Sequence, residues 1–128
     1  MREWRGHRPE TCKVLLRLLR KAGRDAHSVS KNERVLFIAC EFWAAANNRT
    51  LGEHLGEEAI TQLQEAEESF AIIGLADIAS IVRLGYLDLT NAKPKVSLTD
   101  LALHIEDALT CTDERVDESI AHFACERI

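Results

Sequence analysis

The stretch SKNERVLFIACEFWAAANN, Ser30–Asn48, decides how the chain folds. Ser30-Lys31-Asn32-Glu33 has the form of a capping box: the serine hydroxyl accepts from the amide three residues on, and the glutamate reaches back to the serine amide. From Val35 to Ala46 the stretch is apolar almost all the way round, with Phe37, Ile38, Phe42 and Trp43 among its members. A helix that is apolar on every side needs other helices around it, so this one is expected at the centre of a bundle. Its one polar line, Arg34, Glu41 and Asn48, repeats every seven residues and follows a single edge.

Helical periodicity continues on both sides. Upstream, Glu10 to Ala22 predicts an amphipathic helix with Leu15, Leu18, Leu19 and Ala22 on one side and Lys13, Arg17, Arg20, Lys21 and Arg24 on the other. Downstream, Asn47 to Gly56 reads as a connection, given Gly52 and Gly56. Glu57 and Glu58 then open a third helix, whose buried stripe is Ala59, Leu63, Ala66 and Phe70. Its outward residues are Glu57, Glu58, Glu65 and Glu68, with Glu67 nearer the apolar border and Ile72 exposed on the acidic side. Gly74 stops that helix, and a fourth runs from Leu75 to Leu89 with Ile78, Ala79, Val82 and Tyr86 inward. After the loop Asn91–Val96, Ser97 or Thr99 caps a fifth helix with Leu98, Leu101, Ile105, Ala108 and Leu109 inside. Thr112 is expected to cap a short sixth, with Val116, Ile120 and Phe123 buried. The expectation is an all-α fold: a compact bundle of five to six helices, one domain over residues 1–128, with 1–9 as a flexible lead-in.

Composition agrees. A chain of 128 residues with 46% apolar and 29% charged residues has enough apolar surface for one folded domain. Only two prolines and six glycines interrupt it, which favours helices over many short strands. The net charge of −5 conceals an uneven layout. Residues 1–34 hold ten basic and four acidic residues, whereas Thr50–Val82 holds seven acidic residues and no Lys or Arg. An acidic whole argues against direct nucleic-acid binding, which needs cations to displace phosphate counter-ions. No apolar run is long enough to cross a bilayer, and the start of the chain carries no secretion signal. The four cysteines, Cys12, Cys40, Cys111 and Cys125, show no CxxC spacing. A cytoplasmic protein is expected, with no membrane partner.

No catalytic motif is present: there is no GxSxG elbow, HExxH pair, phosphate-binding glycine loop or dinucleotide fingerprint. Asp100-His104-Asp107 and Glu118-His122-Cys125 have ligand-like spacing, but each offers three groups on one helix where structural zinc takes four. Solvated polar residues are expected there, with neither metal nor cofactor. Surface helices ordinarily interleave Lys with Glu, so the unpaired Glu57, Glu58, Glu65 and Glu68 are the candidate partner-binding residues. They point to a non-enzymatic interaction protein, expected as a homodimer, that offers an acidic helical face to a basic protein such as a DNA-binding protein or a toxin. The basic helix around Arg17 and Arg20 is the competing source of counter-charge within the chain. The alternative is a small-ligand-binding or catalytic bundle with a pocket at Glu41, Arg34, Asn48 and His54, because a carboxylate on an otherwise apolar helix needs a reason to be there. Exposed Ile72 and Leu103 are candidate dimer contacts.

Three short matches extend the reading: Glu33-Arg34-Val35-Leu36 entering an apolar helix, then Asn47-Asn48, then an acidic helix running into Ile73-Gly74-Leu75-Ala76. Over residues 33–90 this order resembles a family of small acidic helical proteins, one branch of which is known as DNA-mimic proteins. That family continues from its asparagines into a Gly-Gly turn and an aromatic, where this chain has Arg49-Thr50-Leu51-Gly52. The resemblance implies a homodimer whose carboxylates, here Glu57, Glu58, Glu65 and Glu68, are spaced like backbone phosphates and occupy a DNA-binding protein.

Overall fold

The computed structural model describes residues 30–127, and these form six helices and no strand. They are α1 (Lys31–Asn47), α2 (Leu51–His54), α3 (Ala59–Ile73), α4 (Ala76–Leu89), α5 (Leu98–Cys111) and α6 (Asp113–Arg127). The basic helix read over Glu10–Ala22 and the lead-in at 1–9 lie outside the described residues.

The capping box forms as read. The Glu33 amide donates to Ser30 Oγ at 3.2 Å, and the Ser30 amide donates to Glu33 Oε1 at 3.2 Å. Such a cap contributes about 1 kcal/mol to the helix start. Beyond it, α1 takes the central place, packed against α2, α3, α5 and α6, while α4 packs on α3 and α5. Leu36, Ala39, Cys40, Trp43 and Ala46 are fully buried along α1. Burying tryptophan requires a partner for its indole N–H, and Trp43 donates to Asp113 Oδ1 at 2.7 Å, tying α1 to the start of α6. The stripe Ala59, Leu63, Ala66 and Phe70 is buried as read, and Ile72 is exposed.

The segment Asn47–Gly56 departs from the simple connection expected. It contains the one-turn helix α2, because Leu51 and Leu55 are buried and pull the chain onto the core. The start of that turn is held from a distance: Glu106 of α5, itself buried, accepts from the Leu51 amide at 3.0 Å. Helix α1 ends in a two-bond reversal in which Thr50 N–H reaches Ala45 O (2.8 Å) and Arg49 N–H reaches Ala46 O (3.1 Å). Arg49 carries the positive φ of 57° that this reversal demands. The end of α3 has the same pattern, with Leu75 N–H to Phe70 O (2.8 Å) and Gly74 at φ 99°.

The cap of α5 is Ser97, whose Oγ accepts from the Asp100 amide at 3.1 Å. Thr112 does not cap α6 with its side chain as expected; its hydroxyl donates back to Ala108 O at 2.7 Å. Nor is α6 short: it runs for 15 residues, with Val116, Ile120 and Phe123 buried. Helices α4 and α5 approach closely at Gly85, where a Cβ would stand 2.2 Å from Leu101 Cδ1.

Candidate functional site

An open cleft of about 280 Å³ lies where α1, α2 and α3 meet. Helix α1 contributes Arg34, Phe37, Ile38, Glu41 and Phe42; α2 contributes His54; α3 contributes Gln62 and Glu65. The residue types follow from the α1 sequence: a carboxylate placed on a helix that is apolar all round has to emerge among aromatic and aliphatic neighbours. Phe42 forms the base, edge-to-face with His54 (centroids 5.6 Å apart, planes at 84°) and with Phe70 (6.1 Å, 82°). Gln62 fixes the turn between α2 and α3, donating to His54 O at 3.1 Å and accepting from the Gly56 amide at 2.9 Å.

Glu41 is half-buried, and it makes no hydrogen bond or ion pair with any described residue. Burial pushes its carboxyl above the usual carboxylate range, while the charge of His54 pulls it the other way. Desolvation is the larger effect. Partial removal of a carboxylate from water is unfavourable by itself, so the open cleft presents a partly desolvated acceptor beside apolar walls.

Three of the four pocket residues expected from sequence, Arg34, Glu41 and His54, therefore meet in one cleft. Asn48 does not line it; this residue is the C-cap of α1, where its amide donates to Ala44 O at 3.0 Å. Gln62 and Phe37 belong to the cleft and were not singled out from sequence. The available signal was the spacing of Glu58, Gln62 and Glu65, which puts the three on one edge of α3.

The acidic face differs from expectation. Glu65 is paired with Arg34, and Glu68 with Lys31 at 3.6 Å, so two of the four outward glutamates have counter-ions inside the chain. Both cations come from the first turns of α1, which lies against α3. Tyr86 donates its hydroxyl to Glu67, which keeps the phenol above its ordinary value. Asp77 receives two hydrogen bonds from the Arg115 guanidinium (3.1 and 2.6 Å), which holds its carboxyl below the usual range. Exposed pairs of this kind contribute roughly 0–1 kcal/mol each. Glu57 and Glu58 alone match the expectation: both are exposed, with no ion pair to any described residue.

His122 contacts Glu126 at 3.3 Å, one turn along α6. The described residues contain no group of three or more His, Cys, Asp or Glu side chains arranged to hold a metal ion, and no helix among them is long and apolar enough to cross a membrane. Comparison with known protein families, curated proteins and solved structures returns no match to this chain.

Proposed function

We propose that this protein is a non-enzymatic interaction module, working as a homodimer, that captures a basic protein partner by taking a Lys or Arg side chain into the Glu41 cleft. The observation that carries the reading is the half-buried Glu41 carboxylate, which has no donor among the described residues. An incoming ammonium or guanidinium supplies charge-assisted hydrogen bonds and offsets the partial desolvation already incurred. The alkyl stem of that side chain would lie along Phe37, Ile38 and Phe42, as amphipathic side chains do. Glu57 and Glu58 follow directly on the turn held by Gln62, so their field reaches a cation approaching that wall. The role first read for all four outward glutamates thus narrows: Glu57 and Glu58 attract, whereas Glu65 and Glu68 must exchange Arg34 and Lys31 before they can contribute. That same pairing reduces the phosphate-like charge row that the family resemblance implied.

The test is a titration of the full-length protein with a short lysine- and arginine-containing peptide, followed by backbone amide shifts. Saturable binding is expected at residues lining the cleft, weakened by added salt and about tenfold or more by Glu41→Gln, as befits a charge-assisted hydrogen bond. Equal affinity in the Gln variant removes Glu41 from the function. Replacing Glu57 and Glu58 by Gln is expected to slow association more than it speeds release.

A second reading draws on the raised carboxyl of Glu41 and on His54 in the same cleft, a pair with the electrostatics of acid–base work on a small amide or ester. Turnover of amide or ester substrates that is abolished by both Glu41→Gln and His54→Gln would favour it over capture of a partner.

A further inference from the structure

The walls of the Glu41 cleft bear on which cation it takes. Three rings line it, those of Phe37, Phe42 and His54, beside the aliphatic Ile38. The rings of Phe42 and His54 stand at 84° to one another with centroids 5.6 Å apart, so they form an aromatic corner rather than a flat wall. Phe37 and His54 are half-buried and keep some surface open to a ligand, while Phe42 is buried more deeply. Polar groups in the lining are few, and most are engaged. Glu65 accepts from Arg34, and the Gln62 carboxamide bonds the backbone at His54 and Gly56. Of the two carboxylates and one carboxamide, only Glu41 has no partner among the described residues. An ammonium brings three N–H donors and a guanidinium five. A single carboxylate lies to one side of any bound head and reaches only part of either set. Donors turned toward Phe37 and Ile38 meet no acceptor there. Each N-methyl group removes one donor, adds apolar surface and leaves the charge in place. Two methyl groups leave one N–H for Glu41 and turn the rest of the head toward rings that attract a cation through their faces.

We infer that the cation captured by Glu41 is a dimethylated lysine side chain of the protein partner. The inference rests on the proposed capture at Glu41 and names its chemistry. Charge complementarity commits the cleft to a cation. Arg34, the one Lys or Arg lining it among the described residues, is paired with Glu65, and the Glu41 carboxylate supplies the charge that is left. Hydrogen-bond inventory then selects the degree of methylation, because one open acceptor matches a head that keeps one N–H. The cleft is open to solvent, which suits a side chain whose backbone stays outside it. Exposed Glu57 and Glu58, just past the turn held by Gln62, are placed to meet further cations of the same basic chain.

Calorimetric titration of the full-length protein tests the inference, using one short basic peptide whose single lysine is unmodified, dimethylated or trimethylated. The dimethylated peptide is expected to bind tightest, about threefold or more above the unmodified one, the scale of a cation–π contact at a partly exposed ring. The trimethylated peptide, with no N–H left for Glu41, is expected to fall below it. Phe37→Leu keeps an apolar wall without a ring and should bring the unmodified and dimethylated peptides to equal affinity, with the helical circular-dichroism spectrum retained. Glu57→Gln should weaken all three peptides alike and leave their order unchanged. Tightest binding by the unmodified or the trimethylated peptide overturns the inference, as does a preference for the dimethylated form that survives Phe37→Leu. Should that variant fail to fold, the order of affinities on the wild type decides alone. Free dimethylammonium binding as tightly as the peptide overturns a protein side chain as the source. The two readings fail separately. An unmodified peptide that binds tightest and still loses affinity with Glu41→Gln sinks only the methylation, whereas indifference of every peptide to Glu41→Gln sinks the capture itself.

Discussion

The ends of α1 and α3 use the same hydrogen-bonded reversal with different residues, and that difference gives a pair of stability changes that can be worked out in advance. At Gly74, φ is 99° and a Cβ would meet nothing within 4 Å, so Gly74→Ala changes backbone energetics alone. An L-residue held in left-handed conformation costs about 1–2 kcal/mol. Part of this is offset because alanine has less freedom than glycine in the unfolded chain, by roughly 0.4–1 kcal/mol. The net loss is about 1 kcal/mol, or a fall in Tm of about 3–5 °C for a chain of this size. At Arg49, φ is 57° and the strain is already present. Arg49→Gly relieves about 1–2 kcal/mol but restores unfolded-state freedom and removes the exposed Arg49–Asp107 contact at 3.0 Å, worth roughly 0–1 kcal/mol. Together these contributions put its net effect between a loss of about 1 kcal/mol and a gain of about 1.6 kcal/mol, centred near zero. Urea unfolding followed by far-UV circular dichroism, with an unchanged m-value, measures both. A Gly74→Ala variant as stable as wild type, or an Arg49→Gly variant that loses more than about 1 kcal/mol, would refute the strain argument.

Other outcomes follow from contacts already described. Glu41 has a folded-state pKa raised above its unfolded value, so its ionised form disfavours the fold. That contribution becomes favourable as pH falls from neutral through the raised value and levels off below the ordinary carboxylate range near about 4.3. Glu41→Gln should therefore stabilise the fold at neutral pH, by less than about 1 kcal/mol at this half-exposed site, and so raise Tm there, and the advantage should vanish in acid; a pH series of melting curves checks it. Gly85→Ala forces a Cβ into Leu101 Cδ1 and Cδ2, at 2.2 and 2.7 Å, and should destabilise by about 1–3 kcal/mol. Adding Leu101→Ala should then cost less than it does in the wild type, as a double-mutant cycle would register. Glu106→Ala strips the buried Leu51 amide of its acceptor, for a loss of about 1–3 kcal/mol in chemical denaturation.

What could be read from the sequence was local. The capping box at Ser30 and Glu33, the stripe through Leu63, Ala66 and Phe70, and the stop at Gly74 each depend on residues within a few positions of one another. The one-turn helix α2 was not legible, because Gly52 and Gly56 punctuate the segment and the group holding it, Glu106, lies 55 residues further on. The counter-ions of Glu65 and Glu68 were hidden for the same reason: Arg34 and Lys31 belong to another helix, and charge counting along one segment cannot register them. The cleft was half visible. The seven-residue spacing of Arg34 and Glu41 put both on one edge, and continuing the line predicted Asn48, but α1 turns back at Arg49 and leaves Asn48 at its cap. Gln62 acts through the backbone of His54 and Gly56, an arrangement that no sequence pattern on α3 announces.

The Glu106–Leu51 hydrogen bond has a consequence for communication across the molecule. The single turn that carries His54 is anchored at its start from α5 and at its end by Gln62 of α3, so the imidazole's position is set by two helices to which it does not belong. Losing the Glu106 carboxylate would release that turn at its start while Gln62 still held its end, so the aim of the imidazole depends in part on a residue that does not line the cleft.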